Sequence, residues 1–217
     1  MKLKNLEIRL QKVQGFKNPK ADLEQYMTPA PLAARFLFDA FLHGDLEDMR
    51  VLDLGCGTGM LSVGAALLGA EVVGIDGDSS ALKTAEENAA ALNLDITFRH
   101  EVIRAETAEA DAYDTVIMNP PFGAQNEHAD RPFIEAALLS APVVWGIFNK
   151  GSIPFIQAYT KDTAEITDKV AAKLSIPKQF VFHTKDIVEI PVEIVRLERH
   201  GETRNSYRRT CRRTRGC

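Results

Sequence analysis

Two stretches of this 217-residue chain combine residue types and spacings suited to chemistry. The first is Asp53-Leu54-Gly55-Cys56-Gly57-Thr58-Gly59, which follows the apolar run Val51–Leu54 and precedes a small-residue stretch opening at Met60. Alternating glycines let a backbone take positive φ and approach a ligand closely. A dinucleotide loop shows GxGxxG, its third glycine seating the helix near a pyrophosphate. Here the spacing is GxGxG, with Asp53 two positions ahead of Gly55. A carboxylate there repels a pyrophosphate and suits an ammonium group, so the loop calls for a zwitterionic ligand carrying a ribose. Asp76 ends the next apolar run, where a carboxylate can accept hydrogen bonds from both ribose hydroxyls. Glu101, just after a third run, is placed to accept a hydrogen bond from an adenine amino group.

The second stretch is Asn119-Pro120-Pro121-Phe122, directly after a fourth apolar run. Two prolines fix the backbone and remove two donors. The Asn119 side-chain oxygen and the Pro120 carbonyl can then accept both hydrogens of one planar amino group. Such a group has a delocalised lone pair and is a weak nucleophile. Accepting its hydrogens helps it pyramidalise and attack an electrophile, the rest being proximity and alignment. Phe122 stacks on a flat substrate, as flipped or single-stranded bases are held.

These residues need a frame. Strands are expected at 51–54, 71–76, 95–100, 113–118 and 143–148. Between them lie helices at 60–69, from Ser79 or Ser80 as cap to about Leu92, and from Asp130 to about Ser140. Leu3, Leu6, Leu10 and Val13 share one helical face, so residues 3–14 read as an amphipathic helix. A helix capped by Thr28, with Pro29 behind it, runs to His43-Gly44. Residues 152–174 read as a helical region interrupted near Tyr159–Asp162. QFVFH (179–183) and IVEIPVEIVRL (187–197) read as an antiparallel hairpin, Pro191 marking a bulge or unpaired position. Apolar strands alternating with helices mean a sheet buried on both faces. The fold class is α/β, Rossmann-like and doubly wound: a seven-stranded, mostly parallel sheet with an antiparallel edge hairpin.

The net charge of −4 hides a pattern. Residues 1–20 and 201–217 each carry +5, leaving −14 for 21–200. A body that acidic is a poor non-specific binder of nucleic acid, since phosphate contacts need Lys and Arg. The organisation expected is a basic amphipathic helix with connector (1–22), one ligand-binding domain (23–199) and an Arg-rich tail (200–217), read as a nucleic-acid tail or a read-through scar. Cys56 has no disulfide partner within 1–200, the five histidines are scattered and no CxxC or HxxxH occurs, so no metal is expected. No apolar run reaches the roughly 18 residues of a membrane helix. The N-terminus lacks a secretory h-region, so a cytoplasmic protein is expected.

From about residue 50 to 198, DLGCGTG with Asp76 behind it resembles the class I S-adenosylmethionine-dependent methyltransferases. In that fold an (N/D)PP(F/Y) motif resembles the amino methyltransferases of adenine N6, guanine N2 and the release-factor glutamine amide. Across residues 1–198 the chain is similar to the methyltransferase-like protein 5 family of small-subunit ribosomal RNA adenine-N6 methyltransferases, in an archaeal-type version. The resemblance is carried by KNLEIRLQKVQGF, LEQYMT, DLGCGTGMLSVGAALLGA, TVIMNPPFG, Asn149-Lys150-Gly151-Ser152 and VEIPVEIVRLER. Release-factor enzymes carry a larger helical domain ahead and typically Tyr at the place of Phe122. The resemblance implies S-adenosyl-L-methionine held by Gln25, Thr28, Asp53, Asp76, Asn119 and the loop Gly55, Gly57, Thr58 and Met60. Glu101 stands where compared members carry Asp, one methylene shorter. It also implies a target adenine held by Asn119, Pro120, Pro121 and Phe122, and an RNA-backbone contact from Lys150. Finally, it implies a small zinc-binding activator protein that adds a strand at 95–100. Glutamine-N5 and guanine-N2 methylation remain the alternatives, with a non-catalytic assembly factor as the reading from another class.

Overall fold

The structure, a computed structural model, describes residues 1–20, 23–122, 129–177 and 187–201. In chain order the elements are α1 (Leu3–Leu10), α2 (Ala30–Leu42), β1 (Arg50–Leu54), α3 (Met60–Leu67), β2 (Glu71–Asp76), α4 (Ser79–Ala91), β3 (Ile96–His100), β4 (Thr115–Met118), α5 (Arg131–Ser140), β5 (Val143–Asn149), α6 (Ile153–Thr160), β6 (Ala164–Pro177) and β7 (Ile187–Arg199). One seven-stranded sheet has the order β3-β2-β1-β4-β5-β7-β6. The first five strands are parallel, and β7 runs antiparallel to both β5 and β6. The expected fold class is the observed one.

Period-two alternation explains how both faces are buried. Val51 of β1, Ile117 of β4 and Trp145 and Ile147 of β5 pack with α1, α2 and α3. Leu52 and Leu54, Val116 and Met118, Val144 and Phe148 pack with α5 and α6 on the other face. Leu6, Leu10 and Val13 bury the apolar stripe of the first helix in the former layer, although α1 is shorter than expected.

The hairpin departs from expectation. Residues 164–174, expected as the second half of a helical region, lie instead in a fourteen-residue strand, Ala164–Pro177, pairing β7 from Ala164↔Arg199 to Pro177↔Ile187. QFVFH lies outside the described residues. A register shift falls between Ile166 and Asp168, so the extra residue turns the strand's apolar side over. Ile166 packs on the α5 layer, whereas Val170, Ala172 and Leu174 pack on the α2 layer. No shift occurs at Pro191, which pairs Lys173. Its carbonyl accepts from Lys150 N–H, so its missing N–H falls on the β5 side, one residue beyond the last β5 pair, Asn149↔Val192. Two caps are also reassigned. Asp78, not Ser79 or Ser80, caps α4 by accepting from Ser80 N–H. Pro29 occupies the cap position of α2, and Thr28 has another task.

One buried polar cluster ties the last strand to the α2–β1 connector. Arg196 of β7 and Asp45 are both almost fully buried, with Arg196 Nε donating to Asp45 Oδ2 at 2.9 Å. Trp145 Nε1–H donates to the same oxygen at 2.9 Å. Arg196 Nη1 donates onward to Glu198 and to Thr167.

Candidate active site

The carboxyl ends of the parallel strands converge on a cleft, the usual place for ligands in such sheets. Its floor is the turn from β1 to α3, where Gly55, Gly57 and Gly59 all have positive φ (+73°, +53° and +82°). At Gly57 a side chain is excluded twice over, by that φ and by Phe16. An added Cβ would sit 2.9 Å from the Phe16 ring. Gly57 N–H donates to Asp76 Oδ2 and Asp78 N–H to Asp76 Oδ1, both at 2.8 Å. Asp76 thus locks the two turns together, and each oxygen keeps a second lone pair. Burial raises its pKa. Cys56 is buried, and burial followed by the charges of Asp53 and Asp76 pushes its thiol up, so it is an inert core residue.

Asp53 lies at the bottom of the cleft. Its Oδ2 accepts from Ser62 Oγ–H at 2.5 Å, while Oδ1 is buried with no hydrogen-bond partner. Burial raises its pKa to about 7, Ser62 pulling it back and Asp76 adding repulsion. The folded pKa lies above the ordinary 3.8, so the folded state keeps a proton that the unfolded chain has released. Stability should therefore fall as pH rises from about 4 to about 7. Asp53→Asn should flatten that window and stabilise the ligand-free protein at pH 8 by roughly 2–4 kcal/mol. Denaturant melts at pH 5 and pH 8 check this. An Asp53→Asn protein as pH-sensitive as the wild type would refute it.

The connector ahead of α2 forms the wall. Gln25 is buried, its Nε2 donating to Asp78 Oδ2 at 2.8 Å and its Oε1 accepting from Lys20 N–H. Lys20 Nζ adds an ion pair to Asp78 at 3.0 Å. Against the burial cost, Gln25, Ser80 and Lys20 hold the Asp78 carboxyl well below the usual range. Thr28 accepts from Asn119 Nδ2 at 3.0 Å, which explains why it does not cap α2. Asn119 Oδ1 is left buried and without a partner.

The loop after β4 is held from both sides. Phe122 N–H donates to Glu24 Oε2 at 2.7 Å, and its carbonyl accepts from Asn149 Nδ2 at 3.4 Å. Tyr26 packs its ring 5.6 Å from that of Phe122. Burial and then the Glu24 charge push the Tyr26 phenol well up, with Asn119 pulling the other way, so it stays protonated.

Thr28, Asp53, Gly55, Gly57, Thr58, Met60 and Asn119 line one cleft together. Gln25 and Asp76 stand behind its wall, bracing it through Asp78 and Gly57. Glu101 is an exposed side chain past the end of β3, its backbone N–H bonded to the Asp76 carbonyl. Pro120 is buried in the loop, with Pro121 and Phe122 partly exposed. Lys150 is exposed at the end of β5. Sequence reasoning assigned no role to Phe16, Glu24, Tyr26, Ser62 or Asn149. Glu24 and Tyr26 sit inside LEQYMT and Asn149 opens the NKGS turn, so the signal was their place in those motifs. Among the described residues no cluster of His, Cys, Asp and Glu is arranged to hold a metal ion. No described helix is long and apolar enough to cross a membrane.

Residues 32–144 match the family described as Methyltransferase small domain. An uncharacterized protein of Methanocaldococcus jannaschii is 42% identical, over 93% of this chain and 96% of its own length. The rRNA N(6)-adenosine-methyltransferase METTL5 of Danio rerio is 37% identical, over 91% of this chain and 99% of its own. A Pyrococcus horikoshii protein of known crystal structure is 40% identical and superposes with a TM-score of 0.84, covering 92% of this chain and 98% of that one.

Proposed function

Because this chain belongs to the METTL5 family of methyltransferases, we propose that it methylates the N6 amino group of an adenosine in small-subunit ribosomal RNA, in the cytoplasm. The methyl comes from S-adenosylmethionine, whose sulfonium makes that methyl electrophilic. The residues present suit this cofactor. The unpartnered Asp53 Oδ1 meets the need of an ammonium for a buried acceptor, and the Asp76 oxygens keep lone pairs for ribose hydroxyls. The backbone of Gly55, Gly57 and Thr58 supplies a surface without bulk beside them. Gln25 acts indirectly, by holding Asp78 and the wall. Glu101 is the candidate for the adenine end.

The observation that carries the substrate reading is Asn119. Its Nδ2 donates to Thr28, which orients Oδ1 as a buried acceptor without a hydrogen-bond partner. A substrate amino group satisfies it, with the Pro120 carbonyl taking the second hydrogen and Phe122 stacking on the base. Lys150 stands at the same end of the sheet for an RNA phosphate. The test is radioactive methyl transfer to purified small- and large-subunit RNA and to release factor, followed by nucleoside analysis. N6-methyladenosine from small-subunit RNA alone is expected. Label in N2-methylguanosine, in large-subunit RNA or in a glutamine amide would overturn the assignment.

The family resemblance also supports a small zinc-binding activator as partner, docking on β3. This strand ends the sheet, and an unblocked edge invites strand addition. The bond from Glu101 N–H to the Asp76 carbonyl sets the alternation along β3. The N–H groups of Thr97 and Arg99 then face β2, and those of Ile96, Phe98 and His100 face outward. A proline at Thr97 would therefore break the protein's own sheet. Ile96→Pro removes an outward donor at the first strand residue, where proline is tolerated. It should abolish co-purification with the activator while keeping the melting temperature within a few degrees. Undiminished complex formation would remove β3 as the docking edge.

A further inference from the structure

Glu24 is a non-glycine residue with φ of +50°. That left-handed region favours glycine, and other residues persist there where the surroundings hold them. A glutamate kept in a conformation that glycine adopts more cheaply directs attention to its side chain. Its carboxylate accepts the Phe122 N–H at 2.7 Å, linking positions 98 residues apart. The neighbouring side chains of the connector reinforce the link. Tyr26 packs on the Phe122 ring, and Thr28 accepts from Asn119. Gln25, between them, is tied to Asp78 at the head of α4. Residues 24–28 are therefore one strap, joined to both ends of the Asn119–Phe122 loop and to the cofactor cleft.

We propose that Glu24 is a positioning residue for methyl transfer, fixing the loop so that Phe122 presents the substrate base while Asn119 holds its amino group. This rests on the reading of Asn119 and Phe122 given above. Glu24 need touch neither substrate nor cofactor. It acts through a charge-assisted hydrogen bond to a backbone N–H, with Asn149 holding the carbonyl of the same residue. Loosening one side frees the ring to wander, and misplacement by about 1 Å costs on the order of a hundredfold in rate.

Three variants of the full chain separate the possibilities, with small-subunit ribosomal RNA as methyl acceptor. Glu24→Gly removes the carboxylate and suits the backbone angle. It should lower kcat by at least ~10-fold, with cofactor affinity measured by calorimetry within about twofold and no loss of melting temperature. Glu24→Gln keeps an acceptor oxygen and should restore most of kcat. Phe122→Ala reports on the loop itself. Wild-type kcat in Glu24→Gly beside an inactive Phe122→Ala would overturn the role of Glu24 and leave the loop reading intact. So would a Glu24→Gln variant as impaired as Glu24→Gly, or a rate loss matched by lost cofactor affinity. Full activity of Phe122→Ala would overturn the loop reading, and the role of Glu24 with it.

Discussion

Asn119→Ala is expected to lower the rate of methyl transfer by ~100-fold or more while leaving cofactor affinity within about twofold, on the scale of removing one preorganised polar group from an active site. Thr28 fixes the amide, and its free oxygen is buried, so this acceptor needs no reorganisation when the substrate amino group pyramidalises. The interaction strengthens as the nitrogen gains positive charge, so its loss belongs to kcat rather than to binding. Asn119→Asp keeps the acceptor, and the Thr28 hydroxyl can turn to donate to the other oxygen. It should retain more activity than Asn119→Ala. Single-turnover methylation at saturating cofactor separates the two variants. A wild-type rate in Asn119→Ala would mean that the amino group is activated elsewhere.

Arg196→Met is expected to destabilise the protein by about 3–5 kcal/mol, the usual cost of leaving one member of a buried ion pair behind. Arg196 donates to both oxygens of Asp45, at 2.9 and 3.4 Å. Methionine fills much of the space but removes both of these donors, while the bond from Trp145 N–H is kept. The double variant Arg196→Met with Asp45→Asn should recover part of the loss, because no uncompensated charge then remains. Denaturant melts of the four proteins give the coupling directly. Additive losses in the double variant would show that the pair matters only through packing.

The parallel half of the sheet was legible because its strands are short, nearly all apolar and closed by glycine turns. β2 was placed to the residue. β6 was not. Ile166, Val170 and Leu174 recur every four residues, a spacing that suits a helical stripe as well as a strand, and the intervening Ala and Lys residues favour helix. The bulge hides the strand further, since Ile166 and Val170 face opposite sides despite their even spacing. Pairing with β7 decides the matter, and no local pattern reports it. The site divides the same way. The glycine turn, Asp53 and the Asn119–Phe122 loop announce themselves by spacing. Asn119, which donates to Thr28, lies 91 residues away, and Asp78, which accepts from Gln25, lies 53 away, so neither tie is written in a local pattern.

The strand order has a consequence for synthesis. A chain leaving the ribosome can assemble β1 to β5 from its first 149 residues, but β5 then stands as an open edge, with Val143-Val144-Trp145-Gly146-Ile147-Phe148 unpaired along one side. The strand that covers it is the last to emerge, and it must enter between β5 and β6. The bond from Arg196 to Asp45 likewise forms only after a segment 151 residues downstream has emerged. Until β7 clears the exit tunnel, the nascent protein carries a sticky apolar edge of the kind that recruits chaperones. Chains cut short before Arg196 should therefore be cleared by proteases rather than accumulate as a smaller enzyme.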